Sequence, residues 1–161
     1  MNMFSNILVP IDISYGTNVW QEPALKIANQ IAQLSGGRIH ALTVVPLNLL
    51  TGYYPDLYSV DVTQKAKMGL EKIVKDLITD DTKITLGIEH GGICAEILRV
   101  ADELPADLIV MASHGPVAKD YLLGSNAAHV TLHARCPVFI MRECTSGGKR
   151  KKFMEEAVSH P

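Results

Sequence analysis

The feature that most constrains this chain is a regular alternation of short strand-like runs with longer segments whose apolar residues recur at helical spacing. The strand-like runs are Asn6–Ile11, His40–Val45, Lys83–Ile88, Asp107–Met111 and Val138–Met141. The first and the fourth are almost continuously apolar, which is typical of strands buried on both faces of a parallel sheet. Strands that alternate with helices pair in parallel through right-handed crossovers, with helices on both faces. The pattern therefore predicts an α/β domain with a parallel sheet.

Four segments between these runs carry the apolar stripe of a helix. They lie around Ala24–Ala32, Ala66–Leu77, Ile93–Ala101 and Ser125–His133. Gly36-Gly37 is expected to end the first helix, and Gly91-Gly92 to open the third. The segment Leu47–Val62 contains three tyrosines and Pro55 but no clear period, so it is predicted to be a long loop.

Length and composition exclude several classes of protein. The 161 residues fit one domain, and 47% apolar with 20% charged residues is ordinary for a globular protein. A formal net charge of −2 gives no general attraction to nucleic acid or to an anionic membrane. An anionic ligand must then be held by local geometry, which favours a small phosphate-bearing molecule. We therefore expect neither a nucleic-acid partner nor a membrane partner.

The cysteines and the N-terminus predict a cytoplasmic location. Cys94, Cys136 and Cys144 lack paired metal-ligand spacing, and any disulfide scheme leaves one of them unpaired. That usage suits a reducing compartment. Met1–Pro10 does not have the pattern of a signal peptide, and no stretch approaches the ~20 apolar residues of a membrane span.

The residues just after the strand ends are the candidate site. In open parallel sheets, ligands bind beyond the carboxyl ends of the strands, which directs attention to Asp12, Thr43–Val45 and the segment from Ser113 onward. Gly124 allows a close approach of backbone to a ligand. The amides of Ser125 and Asn126 then point out of a helix N-terminus, which favours phosphate. The hydroxyl of Ser125 either donates to a phosphate or caps the helix.

Four separated segments resemble the universal stress protein family, in order as well as in content. They are Val9-Pro10-Ile11-Asp12, Leu42-Thr43-Val44-Val45, Ala112-Ser113-His114-Gly115 followed by Leu122-Leu123-Gly124-Ser125, and Cys136-Pro137-Val138-Phe139-Ile140-Met141-Arg142. The resemblance covers about residues 4–142. It implies a doubly wound, Rossmann-like sheet of five parallel strands in the order 3-2-1-4-5. We expect a nucleotide-binding domain over residues 1–144 and a polar, basic and flexible tail over residues 145–161.

The resemblance also implies an adenine-nucleotide site, with ATP or its relatives ADP and AMP as ligand. Pro10 and Ile11 would form part of the adenine wall, Asp12 would hold ribose hydroxyls or help hold a metal ion, and Val44 would offer backbone groups to adenine. Met111 and Ala112 would lie beneath the ribose, and the phosphates would be surrounded by His114, Gly115, Gly124, Ser125 and Asn126. Mg²⁺ would be expected with ATP, since it prefers carboxylate and phosphate oxygens.

The chain departs from the family's nucleotide-binding signature at two places. That signature is Gly-x-x-Gly, nine residues, then Gly-Ser or Gly-Thr. Ala112 stands where the first Gly is usual, and eight residues separate Gly115 from Gly124. These departures leave a second hypothesis open, a protein-interaction module of the same fold that no longer binds nucleotide.

Dedicated catalysis is not predicted. The chain lacks a P-loop, a Gly-x-Ser-x-Gly turn and a dinucleotide fingerprint after its first strand. Slow ATP hydrolysis or autophosphorylation remains a third hypothesis. His129 and His133 have a spacing that can bind zinc, but no third ligand is apparent, so we interpret them as helix-surface residues.

A homodimer is the last expectation. The resemblance implies pairing through the last strands, and Val138–Met141 would form an apolar sheet edge that needs cover.

Overall fold

One parallel sheet with helices on both faces organises the chain. The computed structural model describes residues 3–13, 22–47, 55–113 and 123–142. Along the chain, the elements are β1 (Asn6–Pro10), α1 (Glu22–Ser35), β2 (Arg38–Val45), α2 (Pro55–Leu77), β3 (Lys83–His90), α3 (Ile93–Glu103), β4 (Leu108–Ser113), α4 (Ser125–His133) and β5 (Val138–Arg142). The strand order is β3-β2-β1-β4-β5, and every pair is parallel. The predicted fold class is confirmed.

The central strand β1 buries both of its faces, because each face of the sheet packs against its own pair of helices. Ile7 and Val9 of β1 belong to the core under α1 and α2, whereas Leu8 belongs to the core under α3 and α4. All three side chains are at most 1% exposed. The near-continuous apolar runs in the sequence therefore reflect burial on both sides of a central strand.

The topological switch point of the sheet lies between β1 and β4. The helix that follows β1 covers one face, and the helix that follows β4 covers the other. Crossovers that leave neighbouring strands in opposite directions open a crevice beyond the carboxyl ends of those strands. At the opposite, amino-terminal ends of these strands, the carboxylate of Asp107 just before β4 links them. It accepts hydrogen bonds from the backbone N–H groups of Ser5 (2.7 Å) and Asn6 (3.1 Å) at the start of β1.

The prediction of a loop over Leu47–Val62 is wrong from Pro55 onward, where α2 begins. Proline is compatible with the first turn of a helix, because the N–H that it lacks would have no partner there. Among the residues of α2 whose burial is described, the buried stripe comprises Ala66, Leu70 and Ile73. The sequence of the earlier turns has no regular spacing of apolar residues, so periodicity alone could not predict them. Residues 48–54, which complete the predicted loop, lie outside the described residues, as does the tail over 145–161.

Within the described part of the chain, none of the helices combines the length and the apolarity needed to cross a membrane.

Candidate functional site

A cleft of about 190 Å³ lies at the carboxyl ends of the central strands, between β1, β2, β4 and the N-termini of α3 and α4. Its lining includes these residues from the predicted site: Pro10, Ile11, Asp12, Val44, Met111, Ala112, Gly124, Ser125 and Asn126. Residues that are distant in sequence thus meet at one edge of the sheet. The two other predicted site residues, His114 and Gly115, lie outside the described residues.

The cleft also has lining residues to which the sequence analysis assigned no contact with a nucleotide. They are Leu42, Pro46, Ile93, Ile97, Ser113 and Ala127. Pro46 and Ser113 had a sequence signal, because each stands directly at a strand end. No sequence signal marked Ile93 and Ile97 as site residues, because the apolar stripe of a helix predicts that they are buried but does not indicate what they contact.

The walls of the cleft formed by the strands and by α3 are largely apolar. Met111 and Ile97 are 5% and 2% exposed, and Leu42 is fully buried. Pro10, Val44 and Ile93 are half-buried and border the opening. Such a wall suits a flat, weakly polar ring system, while specificity must come from the few polar groups at the rim.

The end of β1 is held rigidly to β2. The backbone N–H of Ile11 donates to the carbonyl of Leu42 at 2.7 Å, and the hydroxyl of Thr43 donates to the carbonyl of Ile11 at 2.5 Å. Thr43 is 1% exposed, so this hydroxyl is a buried polar group with its partner in place. The next residue, Asp12, is half-buried at the rim and supplies the one carboxylate among the described lining residues.

The N-terminus of α4 also forms part of the rim and presents hydrogen-bond donors. Gly124 is the N-cap (φ −56°, ψ 150°) and has no side chain with which to cap the helix, and the first turn contains no acidic residue. The N–H groups of the first turn therefore have no partner within the helix, and the positive end of its dipole is not neutralised by its own sequence. Such an end can receive an anion.

Two side chains hold this rim in position. The hydroxyl oxygen of Ser113, at the end of β4, accepts a hydrogen bond of 3.0 Å from the N–H of Gly124. Cys94, in the first turn of α3, lies with its Sγ atom 3.2 Å from the Oδ1 atom of Asn126. Burial raises the pKa of the Cys94 thiol above its ordinary value, which keeps it protonated near neutral pH.

No group of three or more His, Cys, Asp or Glu side chains that could hold a metal ion occurs among the described residues. His129 and His133 stack with their ring centroids 4.3 Å apart, and both are exposed. The Nδ1 atom of His133 lies 2.8 Å from the carbonyl of His129, in the last turn of α4 rather than at the cleft.

The universal stress protein family model matches residues 3–142 of this chain. Universal stress protein G of Escherichia coli O157:H7 is 30% identical over 145 residues, which cover 87% of this chain and the whole of that protein. The solved structure of the protein MJ0577 of Methanocaldococcus jannaschii is 27% identical, with a TM-score of 0.75 over 89% of this chain and 99% of the other.

Two more distant structures share the fold. A universal stress protein in complex with cAMP is 21% identical with a TM-score of 0.58, and covers 86% of this chain and 97% of its own. The universal stress protein of Archaeoglobus fulgidus in complex with dAMP is 20% identical with a TM-score of 0.56, and covers 86% of this chain and 98% of its own.

Proposed function

This chain belongs to the universal stress protein family, and we propose that it acts in the stress response by binding an adenine nucleotide, ATP in the first instance, in the cleft beyond β1 and β4. The observation that carries the proposal is the cleft itself, because it joins an apolar wall to an uncapped helix N-terminus. A nucleotide needs both, an apolar surface for its base and donors for its phosphates.

The apolar wall supports a purine base. Pro10, Ile11 and Val44 border one side, and a base stacked on them would leave water without losing a polar partner. The backbone groups around Val44 would then meet the edge of adenine, as the family resemblance implies. Base preference would come from the pattern of donors and acceptors on that backbone.

The rim at α4 supports the phosphates. Ser125 and Asn126 line the cleft, are exposed, and occupy the first turn of a helix whose N-cap is glycine. Glycine leaves the approach to the amides open, and the helix dipole adds to the attraction of the amides for an anion. The hydroxyl of Ser113 and the amide of Asn126 add side-chain polarity at the same rim.

Asp12 supports a ribose contact or a magnesium contact. Asp12 lines the same cleft as the N-terminus of α4, so a nucleotide bound there would meet an acceptor as well as donors. One carboxylate together with phosphate oxygens is a set that Mg²⁺ accepts. When bound, the ion would neutralise phosphate charge beside Asp12.

The ligands of the two distant relatives add support at the level of the fold. Both cAMP and dAMP are adenine nucleotides, and each is bound by a universal stress protein. A chain that shares their fold provides the same general setting for such a ligand.

The test is calorimetric titration of nucleotide-stripped protein with ATP and Mg²⁺, with GTP as the competing base. We expect saturable ATP binding that GTP does not share. Asp12→Asn should weaken it, whereas Asp81→Asn, which changes an exposed aspartate ahead of β3, should leave it as in the parent chain. A flat ATP titration would reject nucleotide binding and leave the protein-interaction module as the function to pursue.

Whether bound ATP is hydrolysed requires a separate measurement. We propose binding without dedicated catalysis, so phosphate release from bound ATP should stay at the rate of protein-free solution. Release that is faster, or transfer of labelled phosphate to the chain, would favour the hydrolase or autophosphorylation alternative.

We also propose that two copies pair through β5 in the cytoplasm, as a regulatory dimer. Among the strands that the structure describes, β5 is an edge strand that pairs only with β4, and Phe139 is 43% exposed on it. An apolar edge of this kind favours pairing. Sedimentation analysis of Phe139→Asp should show monomers, while Leu34→Asp, at a position 90% exposed on α1, should remain dimeric. Monomeric parent protein would reject the dimer.

A further inference from the structure

The side chains of Cys94 and Asn126 connect the two helix N-termini that meet at the cleft. Cys94 lies in the first turn of α3 and Asn126 in the first turn of α4. The Cys94 Sγ atom is 3.2 Å from Asn126 Oδ1 and 3.9 Å from the Asn126 carbonyl oxygen. The neighbour of Cys94 on α3, Ile93, lines the cleft together with Asn126. The pair therefore sits at the cleft wall.

The protonation state of Cys94 determines which end of the Asn126 amide forms the hydrogen bond with the thiol. A thiol that keeps its proton donates to an oxygen, and the pKa of Cys94 is raised by burial, so the proton is present near neutral pH. The thiol therefore bonds to the oxygen end of the Asn126 amide. The NH₂ end of that amide has no hydrogen-bond partner within the part of the chain that the structure describes. An NH₂ group with two donors thus remains for a ligand.

We propose that Cys94 is a positioning residue of the nucleotide site, which holds the Asn126 amide so that its NH₂ group donates to a phosphate of the bound nucleotide. The inference rests on the proposed function, since it assigns residues to the phosphate side of that same cleft. Phosphate oxygens only accept hydrogen bonds, so an amide turned the other way would present its oxygen and repel them. The thiol thereby controls whether Asn126 attracts or opposes the phosphates.

A purely structural role for Cys94 makes a different prediction. Cys94 also packs against the core under α3 and α4. If Cys94 only packed in the core, its loss would loosen the whole cleft, and the binding of ligands with and without phosphate would weaken to the same extent. If Cys94 orients Asn126, only ligands that carry a phosphate weaken.

The experiment compares ATP with adenosine, which lacks phosphate, in titrations of the full chain. The variants are Cys94→Ala, Cys94→Ser, Asn126→Ala and the double variant Cys94→Ala/Asn126→Ala, and thermal unfolding confirms that each is folded. We expect Cys94→Ala to weaken ATP binding by roughly three- to tenfold, the range expected for the net contribution of one ordinary hydrogen bond. Adenosine binding should be unchanged. Cys94→Ser should restore ATP binding, because a hydroxyl also donates to the amide oxygen.

The double variant completes the design. If the thiol acts through the amide, the double variant binds ATP as weakly as Asn126→Ala alone, because the second change removes nothing more. Independent, additive losses would overturn the inference, as would parental ATP affinity in Cys94→Ala or equal weakening of ATP and adenosine. A parent chain that binds neither ligand would instead overturn the proposed function, and the inference with it.

Discussion

The hydroxyl oxygen of Ser113 lies 3.0 Å from the backbone nitrogen of Gly124 and accepts its hydrogen bond. This bond joins the last residue of β4 to the cap of α4, across a connection of 11 positions. Strand end and helix start therefore hold a fixed distance on the phosphate side of the cleft. The hydroxyl, having accepted one bond, still has its own proton to donate.

Ser113→Ala should separate stability from binding. Removing the hydroxyl leaves the Gly124 N–H without its acceptor, which should lower the free energy of unfolding by about 0.5–1.5 kcal/mol. ATP binding should weaken several-fold in titration, because the rim of α4 is no longer held to β4, whereas adenosine binding should change little.

Ser35→Ala is the matched control for that variant. The hydroxyl of Ser35 accepts a bond of 3.3 Å from the N–H of Gly37, at the end of α1, and this N–H also donates to the carbonyl of Ala32 at 3.0 Å. The loss of the Ser35 hydroxyl should therefore lower stability by no more than Ser113→Ala does, without changing ATP affinity. A drop in ATP affinity as large as that of Ser113→Ala would mean that the effect is general loosening of the fold.

Thr43→Val tests the buried bond that holds β1 to β2. Valine keeps the shape of threonine but removes the donor, so the carbonyl of Ile11 loses its 2.5 Å partner in a position that is 1% exposed. The free energy of unfolding, measured by urea denaturation, should fall by about 1–3 kcal/mol, the range for a buried group left unsatisfied.

Thr85→Val provides the comparison on an edge strand. Thr85 lies on β3 and is exposed, so water replaces any bond that its hydroxyl loses. Its variant should differ from the parent by less than about 0.5 kcal/mol. Equal losses in the two variants would show that burial of Thr43 is not what makes its hydroxyl important.

The sequence predicted the elements wherever apolar periodicity was strong. The start of α4 at Ser125 and its end at His133 were both predicted, because Gly124 precedes a run that returns inward at Ala127 and Val130. The start of α2 was not predicted. The sequence from Pro55 to Ala66 has no regular apolar spacing, so periodicity did not indicate a helix there.

The candidate site, too, was predictable from the sequence only in part. Residues at strand ends, such as Asp12 and Val44, could be predicted, since parallel strands bring their carboxyl ends to one edge. The contact between Cys94 and Asn126 could not, because the residues are 32 positions apart and meet through the packing of α3 on α4. Such a contact depends on the angle and the height of two helices, which periodicity does not encode.

Ala112→Gly would restore the glycine that is usual in the family's nucleotide-binding signature, and it should cost stability. Ala112 borders the cleft, yet it also packs against the core under α1 and α2. Glycine would lose that contact and add freedom to the unfolded chain, so unfolding should require about 0.5–1 kcal/mol less free energy. Denaturation measures this cost. A variant as stable as the parent would show that the methyl group contributes nothing to packing.

His40 should make the stability of the fold depend on pH. Burial lowers the pKa of His40 below its ordinary 6.5, and the nearby Glu89 only partly opposes this shift. The folded chain therefore binds a proton at His40 less readily than the unfolded chain does. Stability is then fully present above pH 6.5 and is lost as the pH falls through and below that value.

The measurement is the free energy of unfolding across that pH window in the parent and in His40→Gln. Glutamine can retain a hydrogen bond to Thr85, whose hydroxyl lies 2.6 Å from the His40 Nδ1 atom, but it does not titrate. The variant should lose less stability on acidification than the parent does, while His129→Gln, at an exposed position on α4, should follow the parent. Identical pH profiles for the parent and His40→Gln would exclude His40 as the group responsible.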